Sequence, residues 1–142
     1  HFGIKRVMLI SMFAWVFRFG LFGLGDPGSG LWMLILSMIV YGMAFDFFNI
    51  SGSLFVELEA KPAIRASAQG LFFMMTNGLG AIIGGYASGA VVDAFSVYAD
   101  GMLVSREWPD IWFIFAGYAL VIGILFALVF KYKHQPEELS KK

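Results

Sequence analysis

Apolar residues in this chain fall in long blocks rather than in an alternating or one-sided pattern. The blocks run from about Val7 to Leu24, Leu31 to Leu54, Ala66 to Phe95 and Ile111 to Phe130. A helix needs roughly 20 apolar residues to cross a bilayer, and an α-helix satisfies its own backbone polar groups in hydrocarbon. The pattern therefore predicts an all-α membrane protein with four transmembrane helices. Between the blocks, Gly25-Asp26-Pro27-Gly28-Ser29-Gly30 reads as a tight turn, since Gly and Pro favour backbone angles that end helices. Glu57-Leu58-Glu59-Ala60-Lys61-Pro62 reads as a charged loop with Pro62 opening the next helix. Ser96 to Asp110 reads as a longer polar loop, and residues 131–142 as a polar tail.

Composition supports this. Charged residues make up 14% of the chain, against about a quarter in soluble domains. Zero net charge and no basic cluster give no reason to expect a nucleic-acid partner. With no cysteine, thiolate catalysis and zinc–thiolate sites are excluded. No nucleophile–base pair or metal-binding cluster is evident, so neither an enzyme nor a metal or organic cofactor is expected. No cleavable signal peptide is expected, because the first apolar block is long and further spans follow. His1 reads as a truncation point rather than a ligand.

Charge placement sets the orientation. Lys5, Arg6, Lys61, Arg65, Lys131, Lys133, Lys141 and Lys142 fall at the start, the middle loop and the tail, which four spans place on one side. The other two loops carry only Arg106. The positive-inside rule makes the basic side cytoplasmic, including the C-terminus, and Trp32, Trp108 and Trp112 fit interfacial span ends.

The second block carries the candidate chemistry. Tyr41, Phe45, Phe48 and Gly52 are spaced by four, three and four, which puts them on one helical face. Gly42, Asp46, Asn49 and Ser53 form the stripe beside it. Aromatic faces can stack on a planar ring while amide and hydroxyl groups fix a polar ligand. An ionisable group at this depth marks a functional site by default. Asp46 is thus a proton-coupling or a structural acid, and Tyr41, Phe45 and Asn49 are candidate substrate contacts. The plainer reading is an aromatic stripe packed between helices, with Asn49 bonded to a neighbour. Arg18, deep in the first block, is either a candidate ion-pair partner of Asp46 or a side chain that reaches back to the interface. In the third block, Gly80-x-x-x-Gly84 and Gly85-x-x-x-Gly89 predict close helix contact. Thr76 and Asn77 read as cross-helix hydrogen bonders, with Asn77 a secondary candidate for ligand contact. Asp93 reads as solvated. Glu57 and Glu59 read as loop ion pairs with Lys61 and Arg65. Tyr118, in the fourth block, reads as a packing or lipid-facing residue.

The run from Ser37 to Ser53 resembles the nucleoside:proton symporters of the major facilitator superfamily. So do Pro62-Ala63-Ile64-Arg65-Ala66-Ser67-Ala68-Gln69-Gly70, Met74-Met75-Thr76-Asn77-Gly78, Phe115-Ala116-Gly117-Tyr118 and Phe130-Lys131-Tyr132-Lys133-His134. Such permeases have twelve spans in two six-helix halves. The resemblance implies that residues 1–142 are a C-terminal fragment of one transporter domain, equivalent to helices nine to twelve. Helix ten of this superfamily lines the central cavity, and here that is the second block. The resemblance makes Tyr41 and Phe45 contacts to base or ribose and Asp46 a functionally sensitive acid. It implies secondary active transport of nucleosides across the bacterial inner membrane, coupled to proton symport by alternating access. The partners would be the nucleoside, the proton, the lipid bilayer and the eight N-terminal helices of a parent chain. Two other readings stand beside it. One is a facilitator or symporter for another polar solute such as a sugar. The other is a non-transporting membrane scaffold with a structural Asp46.

Overall fold

The computed structural model describes residues 3–131. His1 and the tail beyond Lys131 lie outside them. Four helices are long and apolar enough to cross a membrane: Ile4–Leu24, Leu31–Glu59, Pro62–Ala94 and Trp108–Val129. We call the first two α1 and α2, and the last α5. The third changes winding along its length. It opens as a 3-10 turn over Pro62–Ile64, becomes α3 over Arg65–Phe73, widens to a π-helical turn over Met74–Leu79 and continues as α4 over Gly80–Ala94.

The centre is α1, which packs against both α2 and α5. Apolar attraction between helices is weak where lipid is equally apolar, so close approach of small residues has to supply the contact. The buried positions fit this. Ser37, Ala44, Ser51 and Gly52 are the buried positions of α2, Ser11 and Gly23 are buried on α1 beside the larger Ile4, Met8 and Leu21, and Gly23 sits under the Phe113 ring of α5. Ser37 and Ser11 are not orphaned: Ser37 Oγ donates to the Arg18 carbonyl at 3.2 Å, and Ser11 Oγ donates to the Met8 carbonyl at 2.6 Å. At the basic end, Lys5 Nζ donates to the Ala127 carbonyl at 3.0 Å. A cation there satisfies a carbonyl in the last turn of α5 and complements its dipole. Large apolar side chains such as Leu24, Ile83, Leu128 and Val129 point outward, as suits a bundle solvated by lipid or by further helices.

The helix α2 runs to Glu59, so Glu57 and Glu59 stand on its last turns rather than in a loop. Arg65 Nη1 reaches Glu57 Oε1 at 3.9 Å across the connection. Further in, Ser53 and Gln69 are joined reciprocally. Ser53 Oγ donates to Gln69 Oε1, and Gln69 Nε2 donates to the Ser53 carbonyl, both at 2.7 Å. Alongside, Gly52 lies under Phe72, where an added Cβ would collide with the ring tip. Glycine leaves room there for the Phe72 ring to lie against α2. These contacts clamp α3 to the end of α2. No helix packs along α4 among the described residues, and Gly84, Gly85 and Gly89 have open space at their Cβ positions. The glycine-rich face predicted for close packing therefore has no partner within this chain's described residues.

The stretch after α4 is a β-hairpin rather than an irregular loop. β1 (Ser96–Ala99) pairs antiparallel with β2 (Met102–Arg106). Asp100 and Gly101, at φ 53° and 76°, supply the two left-handed residues of its turn, the conformation that Asp-Gly favours in two-residue hairpins. Val97 faces Ser105 and Tyr98 faces Leu103, so the register slips by one residue between them. The hairpin is tied at its base by Glu107 N donating to the Phe95 carbonyl at 3.1 Å and Arg106 Nε to Ser96 Oγ at 3.1 Å.

Candidate functional site

A cavity of about 360 Å³ opens between α1, α2, the π-helical turn and α5. Small-molecule sites span about 300–1,000 Å³ and combine apolar walls with a few placed polar groups. Here α1 contributes Met12, Trp15 and Phe19, and α5 contributes Tyr118, Ala119 and Ile122. Phe45, Phe48 and Asn49 come from α2, and Thr76 and Asn77 from the π turn. Apart from the polar tips of Trp15 and Tyr118, the polar lining is thus confined to Asn49, Thr76 and Asn77, at the meeting of two helices.

Each of these three polar groups has a defined local partner. Asn49 Nδ2 donates to the Phe45 carbonyl one turn back at 2.9 Å, which leaves its Oδ1 free to accept. Asn77 Nδ2 lies 3.5 Å from that Oδ1 and 3.2 Å from Thr76 Oγ1. Thr76 Oγ1 donates to the Phe72 carbonyl at 2.8 Å. A hydroxyl bonded to the carbonyl four residues back competes with the helix ladder and bends helices. The π turn sits at that point, and Gly80 N–H donates across it to the Met75 carbonyl, five residues back.

Of the residues singled out from the sequence, Phe45, Phe48 and Asn49 of α2 line the cavity, as do Thr76 and the secondary candidate Asn77. Tyr41 stands behind them, edge-on to Trp15 at 5.4 Å and 6.0 Å from Phe45 between ring centroids. Asp46 does not line it. Ser37, Ala44 and Ser51 mark the buried face of α2. Asp46 lies two residues from Ala44, about 200° round the helix, and its side chain is exposed with no hydrogen bond or ion pair among the described residues.

Of the two alternatives left open for Arg18, the pairing with Asp46 is not formed among the described residues. Arg18 is level with Ser37, which bonds its carbonyl. Asp46 lies nine residues further along α2, roughly 13 Å at the helical rise, and on the opposite face. The guanidinium stacks instead on Tyr41 and Trp15, 4.2 and 4.9 Å from the ring centroids, with Phe19 and Phe22 at 5.5 Å. Cation–π contacts are worth about 2 kcal/mol or more when desolvated, so the charge is met by ring faces rather than by a carboxylate. The same cluster extends through Phe19 and Phe22 to Trp112, which stacks on Phe22 at 4.7 Å.

Two wall contributions were not legible as such. Tyr118, read as a packing or lipid residue, faces the cavity. Trp15 and Phe19, four residues apart on one helical face, supply the α1 wall. Their spacing is visible in the sequence, but nothing in it says which helix they would face.

Four membrane-length helices around a cavity with ring walls and a carboxamide edge define an integral membrane protein. The family model described as Nucleoside H+ symporter matches residues 1–135, and the chain belongs to that family. It is 57% identical, over its whole length, to the xanthosine permease of Escherichia coli (strain K12), covering 33% of that protein. It is 58% identical over 94% of its length to the nucleoside permease NupG of the same organism, covering 31% of that protein. Among solved structures it matches the crystal structure of nucleoside transporter NupG with a TM-score of 0.82 at 57% identity, covering 93% of this chain and 32% of that one. The chain therefore spans about a third of the length of these relatives. They are permeases, and the chain is a multi-pass membrane protein.

Proposed function

We propose that this chain forms helices nine to twelve, the C-terminal third, of a permease that carries nucleosides inward across the bacterial inner membrane together with protons. The basic ends of the helices face the cytoplasm. The parent moves its substrate by rocking one half against the other around a site near the midplane. One observation carries the reading. In a cavity of about 360 Å³, the rings of Phe45 and Phe48 stand beside the carboxamides of Asn49 and Asn77. A nucleoside has the matching parts, a flat base for the rings and a polar edge and ribose for the amides. The names of the relatives, xanthosine and nucleoside permeases, support nucleosides as the cargo over sugars.

Phe45 and Asn49 contact the substrate, and Tyr41 backs Phe45. Asp46, directed away from the α1 packing face, is placed to meet the other helices of the parent, where it couples protons or holds those helices. The test is uptake of labelled uridine and xanthosine by cells expressing the full-length parent, with and without a protonophore. Accumulation that collapses with the proton gradient is expected. Uptake that only equilibrates would replace the symporter by a facilitator, and no uptake by a well-expressed protein would end the nucleoside assignment. The 142-residue chain alone should not transport, because it supplies one side of the pathway.

A further inference from the structure

Arg18 holds α2 at two points one turn apart. Its carbonyl accepts the Ser37 hydroxyl at 3.2 Å, which fixes where α1 lies along α2. Its guanidinium lies over the Tyr41 ring, 4.2 Å from the centroid. Trp15, three residues back on α1, meets the same tyrosine edge-on at 5.4 Å and 78°. The ring is thus gripped on one face by a cation and at an edge by an indole, both from α1. Tyr41 in turn lies 6.0 Å from Phe45 between centroids. An arginine within a span ordinarily reaches for the nearer interface. Arg18 is six residues from the outer end of α1, about 9 Å, whereas Tyr41 is ten residues from the outer end of α2, about 15 Å. The guanidinium therefore points inward, toward a ring. It does so although its Nε is buried with no hydrogen-bond partner and no carboxylate is within ion-pair distance among the described residues. A charge kept at such depth is costly and marks a functional role.

We propose that Arg18 is a positioning residue for substrate recognition: it fixes the Tyr41 ring, and through it Phe45, in the orientation that takes the nucleoside. This rests on the nucleoside reading given above. Arg18 stands behind these rings, on α1, and does not itself meet the substrate. The physical argument concerns rotamers. A tyrosine on a helix has two accessible χ1 wells. A desolvated cation over one ring face favours the well that keeps the contact by roughly thirtyfold. Without the cation both wells fill, and apparent affinity falls by the fraction of transporter that leaves the binding orientation. The rise in KM then lies between about twofold, the limit for two otherwise equal wells, and about thirtyfold, the whole cation–π preference. The transport step itself does not involve this contact, so turnover per transporter is preserved.

The test uses the full-length parent in cells and measures KM and maximal rate of labelled uridine uptake, with the rate normalised to the amount of transporter in the membrane. Arg18→Met keeps an unbranched apolar stem without the charge and should raise KM within that range, at an unchanged maximal rate per transporter. Arg18→Gln gives the same reading should the methionine variant fail to reach the membrane. Arg18→Lys, which keeps a cation that can sit over the ring, should restore most of the affinity. Tyr41→Leu should raise KM by itself, and Arg18→Met added to it should raise KM no further. An unchanged KM, with loss confined to the amount of transporter, would reduce Arg18 to a packing residue and overturn the proposal. So would a lysine variant no better than the methionine one, or an Arg18→Met effect that persists in full in the Tyr41→Leu background. No uridine uptake by the wild type would instead overturn the nucleoside reading on which the proposal rests.

Discussion

Replacing Gln69 by leucine isolates the clamp between α2 and α3. The wild-type pair holds two hydrogen bonds of 2.7 Å, one from Ser53 Oγ to the glutamine oxygen and one from the glutamine nitrogen to the Ser53 carbonyl. Interhelical hydrogen bonds in membrane proteins average about 0.6 kcal/mol and reach about 1.7. Gln69→Leu removes both bonds and should cost about 1.2 kcal/mol, with leucine keeping most of the volume. Ser53→Ala removes only the hydroxyl bond and should cost about 0.6 kcal/mol. The double variant should cost no more than Gln69→Leu alone, because the hydroxyl has already lost its partner. The coupling energy is then about 0.6 kcal/mol, read from a double-mutant cycle. The assay is reversible unfolding of the purified full-length protein in mixed micelles, followed by circular dichroism. Independent costs, with Ser53→Ala as damaging in the leucine background as in the wild type, would refute the reciprocal pair and with it the clamp.

Other consequences follow from the same packing. Gly52→Ala drives a Cβ into the Phe72 ring and should destabilise by about 1–3 kcal/mol; Phe72→Ala should relieve most of that clash in the same unfolding assay, and a clash that persists would put the close contact elsewhere. Arg18→Gln should weaken the protein by up to about 2 kcal/mol through loss of the ring contacts, and its cost should be the same in the wild type and in the Asp46→Asn background; a coupling between positions 18 and 46 would restore the ion pair that the structure lacks. Asp46→Asn has no partner to lose among the described residues, so stability should change by less than about 0.5 kcal/mol from these helices, while accumulation of uridine against a gradient should fall; normal accumulation would remove Asp46 from proton coupling.

The sequence states some of this plainly and hides the rest. Hydrocarbon admits few alternatives to a helix, so the four apolar blocks translate directly into spans. Their ends are less legible, because charges read as a loop at Glu57 and Glu59 are accommodated where α2 projects past the apolar block toward Arg65. The hairpin was readable in principle. Asp100-Gly101 is a strong two-residue turn signal, outweighed here by the polar character of its surroundings. Arg18 shows how distance along an axis is lost in a linear reading. Trp15 and Phe22, three before and four after it, already form a ring-lined groove on its own helix, whereas Asp46 becomes remote only once Ser37 fixes the register of α1 on α2. The π turn has no simple sequence signature. At it the Thr76 hydroxyl bonds the Phe72 carbonyl and the Gly80 N–H reaches five residues back, and neither feature alters the apolar pattern.

The long third helix can be regarded as a beam. One end is fastened to α2 by Ser53–Gln69 and Glu57–Arg65. The other is fastened to the start of α5 through the hairpin and the Glu107–Phe95 bond. Sliding along its length or swinging about one end would break these bonds, whereas bowing in the middle would leave them intact. The π turn, whose backbone bonds are already spread, lies in that middle. The amide of Asn77 lies in that middle part, facing Asn49.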